Sequence, residues 1–192
     1  MKPLIALCTA AVFLGACAER AADEEPPEGS GPPDTSAAEP APPATQAASL
    51  HLAPTQGNTA SGTLSVSSEG GAVRLTGTLQ GLKPDAEFGF HIHEKGDCSA
   101  PDASSAGDHF NPSNAQHGNP QGDAHHAGDM LNAKSDAQGN AQVEAQADGV
   151  TLRTGGPNDV LGKAVVLHEK PDDYATQPSG NSGNRIACGV IS

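Results

Sequence analysis

Residues 62–79 read GTLSVSSEGGAVRLTGTL, and this stretch decides the fold class. Apolar and polar residues alternate through residues 62–66 and 72–79, which is the two-residue period of a half-buried β-strand. Between the two runs, Ser-Ser-Glu-Gly-Gly provides glycines that can adopt a positive φ in a hairpin turn. The stretch therefore predicts two antiparallel strands joined by a short connection.

The rest of the chain after residue 48 repeats this pattern with little helical periodicity. Further short strands are expected near residues 50–52, 88–93, 141–145, 150–153, 164–168 and 186–191. Together they predict an all-β antiparallel sandwich or barrel whose core consists mainly of Val, Leu, Ile and Ala. Two long stretches interrupt the strands, residues 94–131 and 169–184, and loops of this length in a compact domain are usually functional.

The first 48 residues differ from the rest in composition. Residues 1–16 have the positive start and short apolar stretch of a secretory signal peptide, too short for a permanent membrane anchor. Leu14-Gly15-Ala16-Cys17 resembles a bacterial lipobox, which predicts cleavage before Cys17 and its lipidation; the alternative is an ordinary signal with a chance cysteine. Residues 17–48, rich in Pro, Ala and Glu, predict a disordered tether to a domain at residues 49–192.

These features predict an exported protein that is lipid-anchored in the bacterial cell envelope, in the periplasm or at the outer membrane. The domain carries 16 acidic against 8 basic side chains, which argues against nucleic acid as a partner. Cys98 and Cys188 are the two cysteines of the domain. In an oxidising compartment we expect one disulfide, worth on the order of 4 kcal/mol, although a pair of metal-binding thiolates is the alternative.

Six of the eight histidines form an ordered constellation that could bind two metals. His91 and His93 are two residues apart in a strand-like run, so one cation can contact both side chains. Another four candidate ligands lie in Gly-, Asn- and Pro-rich sequence that can fold around an ion, namely His109, His117, His126 and Asp129. Three histidines and a carboxylate make a closed tetrahedral zinc set. His168 follows far downstream.

Several separated motifs in this domain closely resemble the copper,zinc superoxide dismutases. They occur in the family's order, and they are GFHIHE at residues 89–94, DHFNP at 108–112, His117-Gly118, HAGD at 126–129, VLHE at 166–169 and GNRIACGVI at 183–191. The resemblance implies a Greek-key β-barrel that binds a copper ion and a zinc ion. It also implies dismutation of superoxide to oxygen and hydrogen peroxide by a redox-cycling copper.

The resemblance assigns a role to each matching position. Copper would be bound by His91, His93, His109 and His168, and zinc by His109, His117, His126 and Asp129, with His109 bridging the two metals. His109 and Arg185 would be catalytic, the first as ligand and general acid and the second as a cation that attracts the anionic substrate. Asp172 would link a histidine of each site, Cys98 would pair with Cys188, and His125 would face solvent.

The chain also departs from the family pattern, and other functions stay open. Asp108 precedes His109 where the family usually has Gly or Pro, which places a negative charge near the site. A non-enzymatic envelope lipoprotein that buffers copper or zinc would need the ligands but not Arg185. A copper-only family member should have lost zinc ligands, which this chain retains. A homodimer is possible.

Overall fold

The computed structural model describes residues 46–122 and 124–192. The predicted signal peptide, Cys17 and the tether up to residue 45 lie outside the described residues. Nine strands follow in chain order: β1 Ala47–Pro54, β2 Ser61–Glu69, β3 Ala72–Gln80, β4 Glu87–Phe88, β5 Phe90–His93, β6 Ala133–Lys134, β7 Ala141–Asp148, β8 Ala164–His168 and β9 Arg185–Val190. Strand β1 thus begins two residues before the predicted domain boundary. Within the described residues, no helix has the length and apolar character needed to cross a bilayer.

Seven strands form one antiparallel sheet in the order β5-β8-β9-β1-β2-β3-β7, and β4 pairs separately with β6. From β3, next to one edge of the sheet, the chain crosses to β5 at the other edge, and it later returns to place β7 beside β3. Such a crossing connection between antiparallel neighbours defines a Greek key. The predicted all-β Greek-key class is confirmed.

The sheet forms where the sequence alternates, because alternate side chains of a strand point to opposite faces. In β7 every second residue is buried, and in β2 Leu64 and Val66 are buried between exposed Thr63 and Ser65. The main core is aliphatic, as predicted, with Phe88, Phe90 and Phe110 as its aromatic members. A smaller cluster around Cys188 contains Ala103, Ala106, Ala164 and Val166.

Two strand predictions need correction. Residues 150–153 do not form a strand; Thr151 makes one isolated bridge, and Arg153 has φ 59°. The Asp159 carboxylate accepts hydrogen bonds from the backbone N–H groups of Arg153, Gly155 and Leu161. These N–H groups are thus bonded to a side chain and not to the carbonyls of a neighbouring strand.

The predicted strand at residues 88–93 is divided at Gly89. The Gly89 N–H donates to the carbonyl of Lys170, and its own carbonyl accepts from His168. The two halves therefore pair with different partners, β4 with β6 and β5 with β8. The predicted long loops are otherwise present. The described part of residues 94–132 contains one short helix, the three-residue 3₁₀ helix Ser104–Ala106, and residues 169–184 contain no strand or helix.

Candidate metal centre

Strand β5 and its neighbour β8 place three histidines at one edge of the seven-stranded sheet. All four residues of β5 are buried, and the alternation of the strand directs His91 and His93 to the same face. His168 is the last residue of β8, and its N–H donates to the Gly89 carbonyl over 2.8 Å. The beginning of β5 and the end of β8 therefore meet.

The long loop of residues 94–132 folds back onto the free edge of β5. The Ile92 N–H donates to the Gly128 carbonyl over 2.9 Å, and the Phe110 N–H donates to the Ile92 carbonyl over 2.8 Å. A side chain at Gly128 would collide with the Ile92 carbonyl, so glycine is required there. These bonds place His109 beside His93 and Asp129 beside His91.

Four histidines form the first ligand set, which consists of His91, His93, His109 and His168. Their candidate ligand atoms all lie within 4.8 Å of one another, and all four residues are buried. In three of the rings, the nitrogen that does not face the other ligands contacts an oxygen, which fixes the ring. His91 Nε2 lies 2.7 Å from Asp172. His93 Nδ1 donates to the Gly107 carbonyl over 2.9 Å, and His168 Nδ1 donates to the Gly183 carbonyl over 3.3 Å.

Burial lowers the pKa of His91 to about 4, and it also lowers the pKa values of His93 and His168. These imidazoles are therefore neutral near pH 7, and the neutral imidazole is the form that binds a metal. His91, His93 and His168 can therefore each offer a nitrogen lone pair to a metal without first losing a proton.

The second set surrounds the buried carboxylate of Asp129, and its other members are His109, His117 and His126. Asp129 Oδ1 lies 2.8 Å from His109 Nδ1, and Oδ2 lies 3.0 Å from His117 Nδ1. Burial alone would raise the pKa of Asp129, but His109 and His117 outweigh it and hold that pKa far below its usual range. Asp129 is therefore an anionic oxygen donor.

Six buried imidazole nitrogens have no hydrogen-bond partner among the described residues. They are His91 Nδ1, His93 Nε2, His109 Nε2, His117 Nδ1, His126 Nδ1 and His168 Nε2. His117 Nδ1 is near Asp129 but not in hydrogen-bonding geometry. Buried polar atoms without partners cost free energy, and two coordinated cations would satisfy all six. His109 belongs to both sets, so the residues fit two neighbouring metals that share this histidine.

Comparisons with known proteins agree with this geometry. The profile of the copper/zinc superoxide dismutase family matches residues 60–191.

The chain belongs to the copper/zinc superoxide dismutase family.

It is 43% identical over 117 residues to the protein named superoxide dismutase [Cu-Zn] 2 of Aquifex aeolicus, a match that covers 58% of this chain and 67% of the relative. Among solved structures, a superoxide-dismutase-like protein from Bacillus subtilis is 40% identical with a TM-score of 0.67, over 75% of this chain and 97% of the other. The clock protein EA4 is 39% identical with the same TM-score, over 76% of this chain and 93% of the other.

The two ligand sets are compatible with the copper and zinc of this superoxide dismutase family. Imidazole nitrogens suit copper, and the first set contains four of them. Three imidazoles and one carboxylate are a typical tetrahedral zinc set, as in the second. The structure therefore brings together all seven ligands that the sequence predicts.

Asp172 lies between the two sets, as the family resemblance implies. Its Oδ2 contacts His91 Nε2 at 2.7 Å, and its Oδ1 contacts His117 Nε2 at 2.9 Å. Contacts of this kind orient the rings of metal ligands. The neighbouring Asp173 instead accepts N–H groups of its own turn, so Asp172 is the linking carboxylate.

Asn132 and Tyr174 hold Asp172, and the sequence analysis missed both. Asn132 Oδ1 accepts the Asp172 N–H over 2.9 Å, and its amide donates to the Asp172 carbonyl over 3.0 Å. The Asn132 N–H donates to the Tyr174 hydroxyl over 2.8 Å. These contacts join residues about 40 positions apart, and no local pattern reveals them.

Arg185 lines the channel that leads to the first set. The channel is a cavity of about 390 Å³ with His93, His109 and His168 in its wall, together with Glu94 and Asp108. Arg185 Nη1 and Nη2 each donate over 2.7 Å, to the carbonyls of Ala103 and Gly107. Because Gly107 also accepts from His93, one carbonyl holds both the guanidinium and a ligand ring.

Two further sequence predictions have clear outcomes. A disulfide joins Cys98 to Cys188, so these cysteines are not metal-binding thiolates. This bond attaches the long loop to β9, the strand that begins with Arg185. His125 is half-buried rather than fully exposed. Its Nδ1 donates to the carbonyl of His126 over 2.8 Å, and it belongs to neither ligand set.

Proposed function

We propose that this protein catalyses the dismutation of superoxide in the bacterial cell envelope. The observation that carries the proposal is the combination of two ligand sets sharing His109 with an arginine in the wall of the same channel. Copper bound at the four-histidine set would supply one-electron exchange with superoxide, while zinc would supply a fixed charge. A metal store needs the ligand sets but has no need for the arginine.

Arg185 has the properties of a substrate-attracting group. Its two bonded carbonyls are neutral acceptors, so the guanidinium retains its full charge, and the described residues form no salt bridge with it. A cation fixed at a channel wall attracts and orients a small anion such as superoxide. Glu94 and Asp108 line the same channel and oppose this attraction.

His109 is suited to proton transfer because both its ring nitrogens face ligand sets. Nδ1 lies 2.8 Å from Asp129, while Nε2 is buried without a partner among the described residues and the ring lines the channel. Nε2 would be a copper ligand in one half of the cycle; when it is not coordinated, it would take up a proton from water in the channel and donate it to the departing peroxide. Asp129 and Asp172 keep the surrounding imidazoles oriented while that proton moves.

Stopped-flow decay of superoxide tests the activity directly. The chain loaded with copper and zinc should accelerate the decay, and the same chain loaded with zinc alone, which is redox-inert, should not. Equal decay for the two preparations would contradict the proposal.

A second candidate, the buffering of copper or zinc, is favoured by the acidic channel. Glu94 and Asp108 place two negative charges beside one arginine, a poor arrangement for capturing an anion but a favourable one for capturing a cation. If the loaded chain binds both metals tightly but does not consume superoxide, this candidate replaces the first.

The envelope location and the lipid anchor are supported by the sequence of residues 1–48. We expect Cys17→Ser to abolish lipid attachment, so that the exported protein no longer partitions into detergent. Mature protein that partitions into detergent in spite of this substitution would refute the anchor. A homodimer stays a prediction.

A further inference from the structure

Gln177 makes an unusual pair of hydrogen bonds with the backbone of His117. Its Oε1 accepts the His117 N–H over 3.0 Å, and its Nε2 donates to the His117 carbonyl over 2.8 Å. One carboxamide thus satisfies both backbone groups of a residue 60 positions away, in the manner of a neighbouring β-strand. The position of the His117 backbone is fixed by a side chain of the other long loop.

The same short segment also encloses the His117 ring. Gly180 has φ 66°, and a side chain there would collide with Asp172 Oδ1 and His117 Nε2. The Gly180 N–H donates to the Thr176 carbonyl over 2.7 Å, which closes the turn that contains Gln177. Backbone and ring of one zinc-set histidine are therefore both held by residues 172–180.

The residues that follow Gln177 form part of the channel. Pro178 and Ser179 line the cavity that leads to the first ligand set. The Ser182 hydroxyl donates to the Ser179 carbonyl over 2.8 Å and continues this wall toward Gly183. A shift of Gln177 would consequently move the channel wall and the backbone of a zinc-set ligand together.

We infer that Gln177 is a positioning residue that fixes His117 for zinc and couples occupation of the zinc set to the order of the channel wall. The inference rests on the proposed function for its zinc ligands. Asp172 orients the ring of His117, whereas Gln177 fixes its backbone, so the two contacts act on different segments of the loop. Loss of an outer partner of a metal ligand typically weakens metal binding about tenfold to a hundredfold.

Zinc titration of the metal-free chain against a competing chelator tests the first half of the inference. Gln177→Met keeps the side-chain length but removes both hydrogen bonds with His117, together with a longer one of 3.4 Å to the Ala175 carbonyl, and it should weaken zinc binding about tenfold. Cobalt(II) bound in place of zinc should show shifted d–d absorption bands in this variant, because the geometry of the ligand set changes. The matched control is Gln138→Met, since the Gln138 side chain forms no hydrogen bond with the described residues; parental affinity and spectrum are expected.

Amide hydrogen exchange with and without zinc tests the coupling. In the parent, zinc should protect residues 171–183. In Gln177→Met, zinc should still protect the amides of residues 171–174, near Asp172, but should no longer protect those of residues 176–183. In Asp172→Asn, the amides of residues 171–174 should lose protection first. Parental zinc affinity, cobalt spectrum and exchange pattern in Gln177→Met would overturn the inference, as would equal weakening in the Gln138→Met control.

Two additions keep the experiment decisive. If exchange in β2 and β3 shows that Gln177→Met does not fold, Gln177→Glu replaces it, because a carboxylate accepts the His117 N–H but cannot donate to its carbonyl. Parental behaviour of Gln177→Glu in all three measurements would then overturn the inference. Superoxide decay is measured separately, so an inactive parent would refute the proposed function while the zinc measurements still decide the role of Gln177.

Discussion

The hairpin sheet of β2, β3 and β7 and the two long loops are held together by different forces. In the sheet, alternate residues are buried and neighbouring strands pair in continuous register. In the loops, individual side chains such as Asp129 and Asp172 hold the structure through specific contacts with several buried groups. We conclude that the sheet is stabilised mainly by apolar burial, whereas the loops depend on these side-chain contacts and on the disulfide. We expect bound metals to stabilise the loops further.

Removal of a first-set ligand should produce the largest effect, on copper binding and activity, and should leave the hairpin sheet intact. We expect His91→Ala to lose copper and to lower the superoxide rate by more than about a hundredfold, since even outer partners of a ligand can cost that much. Zinc should stay bound, because His91 is not in the second set. Elemental analysis and superoxide decay provide the measurements.

Asp129→Ala is the matched comparison, because it removes a ligand from the second set alone. It should lose zinc first and lower the melting temperature. Full copper occupancy in a His91→Ala, His168→Ala double variant would refute the assignment of the first set.

Removal of the disulfide should have the next largest effect. The bond closes a loop with a sequence separation of 90 residues, so Cys98→Ser with Cys188→Ser should lower the free energy of unfolding by about 4 kcal/mol. Hydrogen exchange should increase most at residues 98–108, where Ala103 and Gly107 accept from Arg185. Unchanged denaturation midpoints would show that the loop does not depend on this bond.

The sheet should respond to a core substitution without any change in metal binding. Leu75 is fully buried in the middle of β3, and Leu75→Ala should cost about 3 kcal/mol through lost burial and a cavity. Denaturant unfolding measures the cost, while zinc affinity should equal that of the parent. A large loss of zinc affinity in Leu75→Ala would show that the two regions are not energetically separate.

The same division explains what could be predicted from sequence. The alternation around Leu64 and Leu75 specifies the strands locally, and the ligand residues were identifiable because the spacing of His91, His93 and His126 resembles a known family. Asn132 and Gln177 could not be found, because each acts on a backbone 40 to 60 positions away. Residues 150–153 alternate like a strand, yet the carboxylate of Asp159 holds their backbone in a turn.

The smallest effects should come from charges in the channel, which neither fold the sheet nor bind the metals. Arg185→Glu should leave copper and zinc occupancy close to parental and should lower the superoxide rate about tenfold, because it replaces an attracting charge with a repelling one. Asp108→Asn should raise the rate about twofold, because it removes a carboxylate that opposes Arg185 across the same cavity.

Ionic strength provides the control that separates attraction from altered geometry. Salt screens opposite charges and like charges alike. Relative to the parent, added salt should therefore slow Asp108→Asn and accelerate Arg185→Glu. Stopped-flow decay of superoxide at several salt concentrations gives the three slopes. Equal rates and equal slopes for the three proteins would remove Arg185 from substrate capture and would favour metal buffering, because metal storage is the function that does not need this arginine.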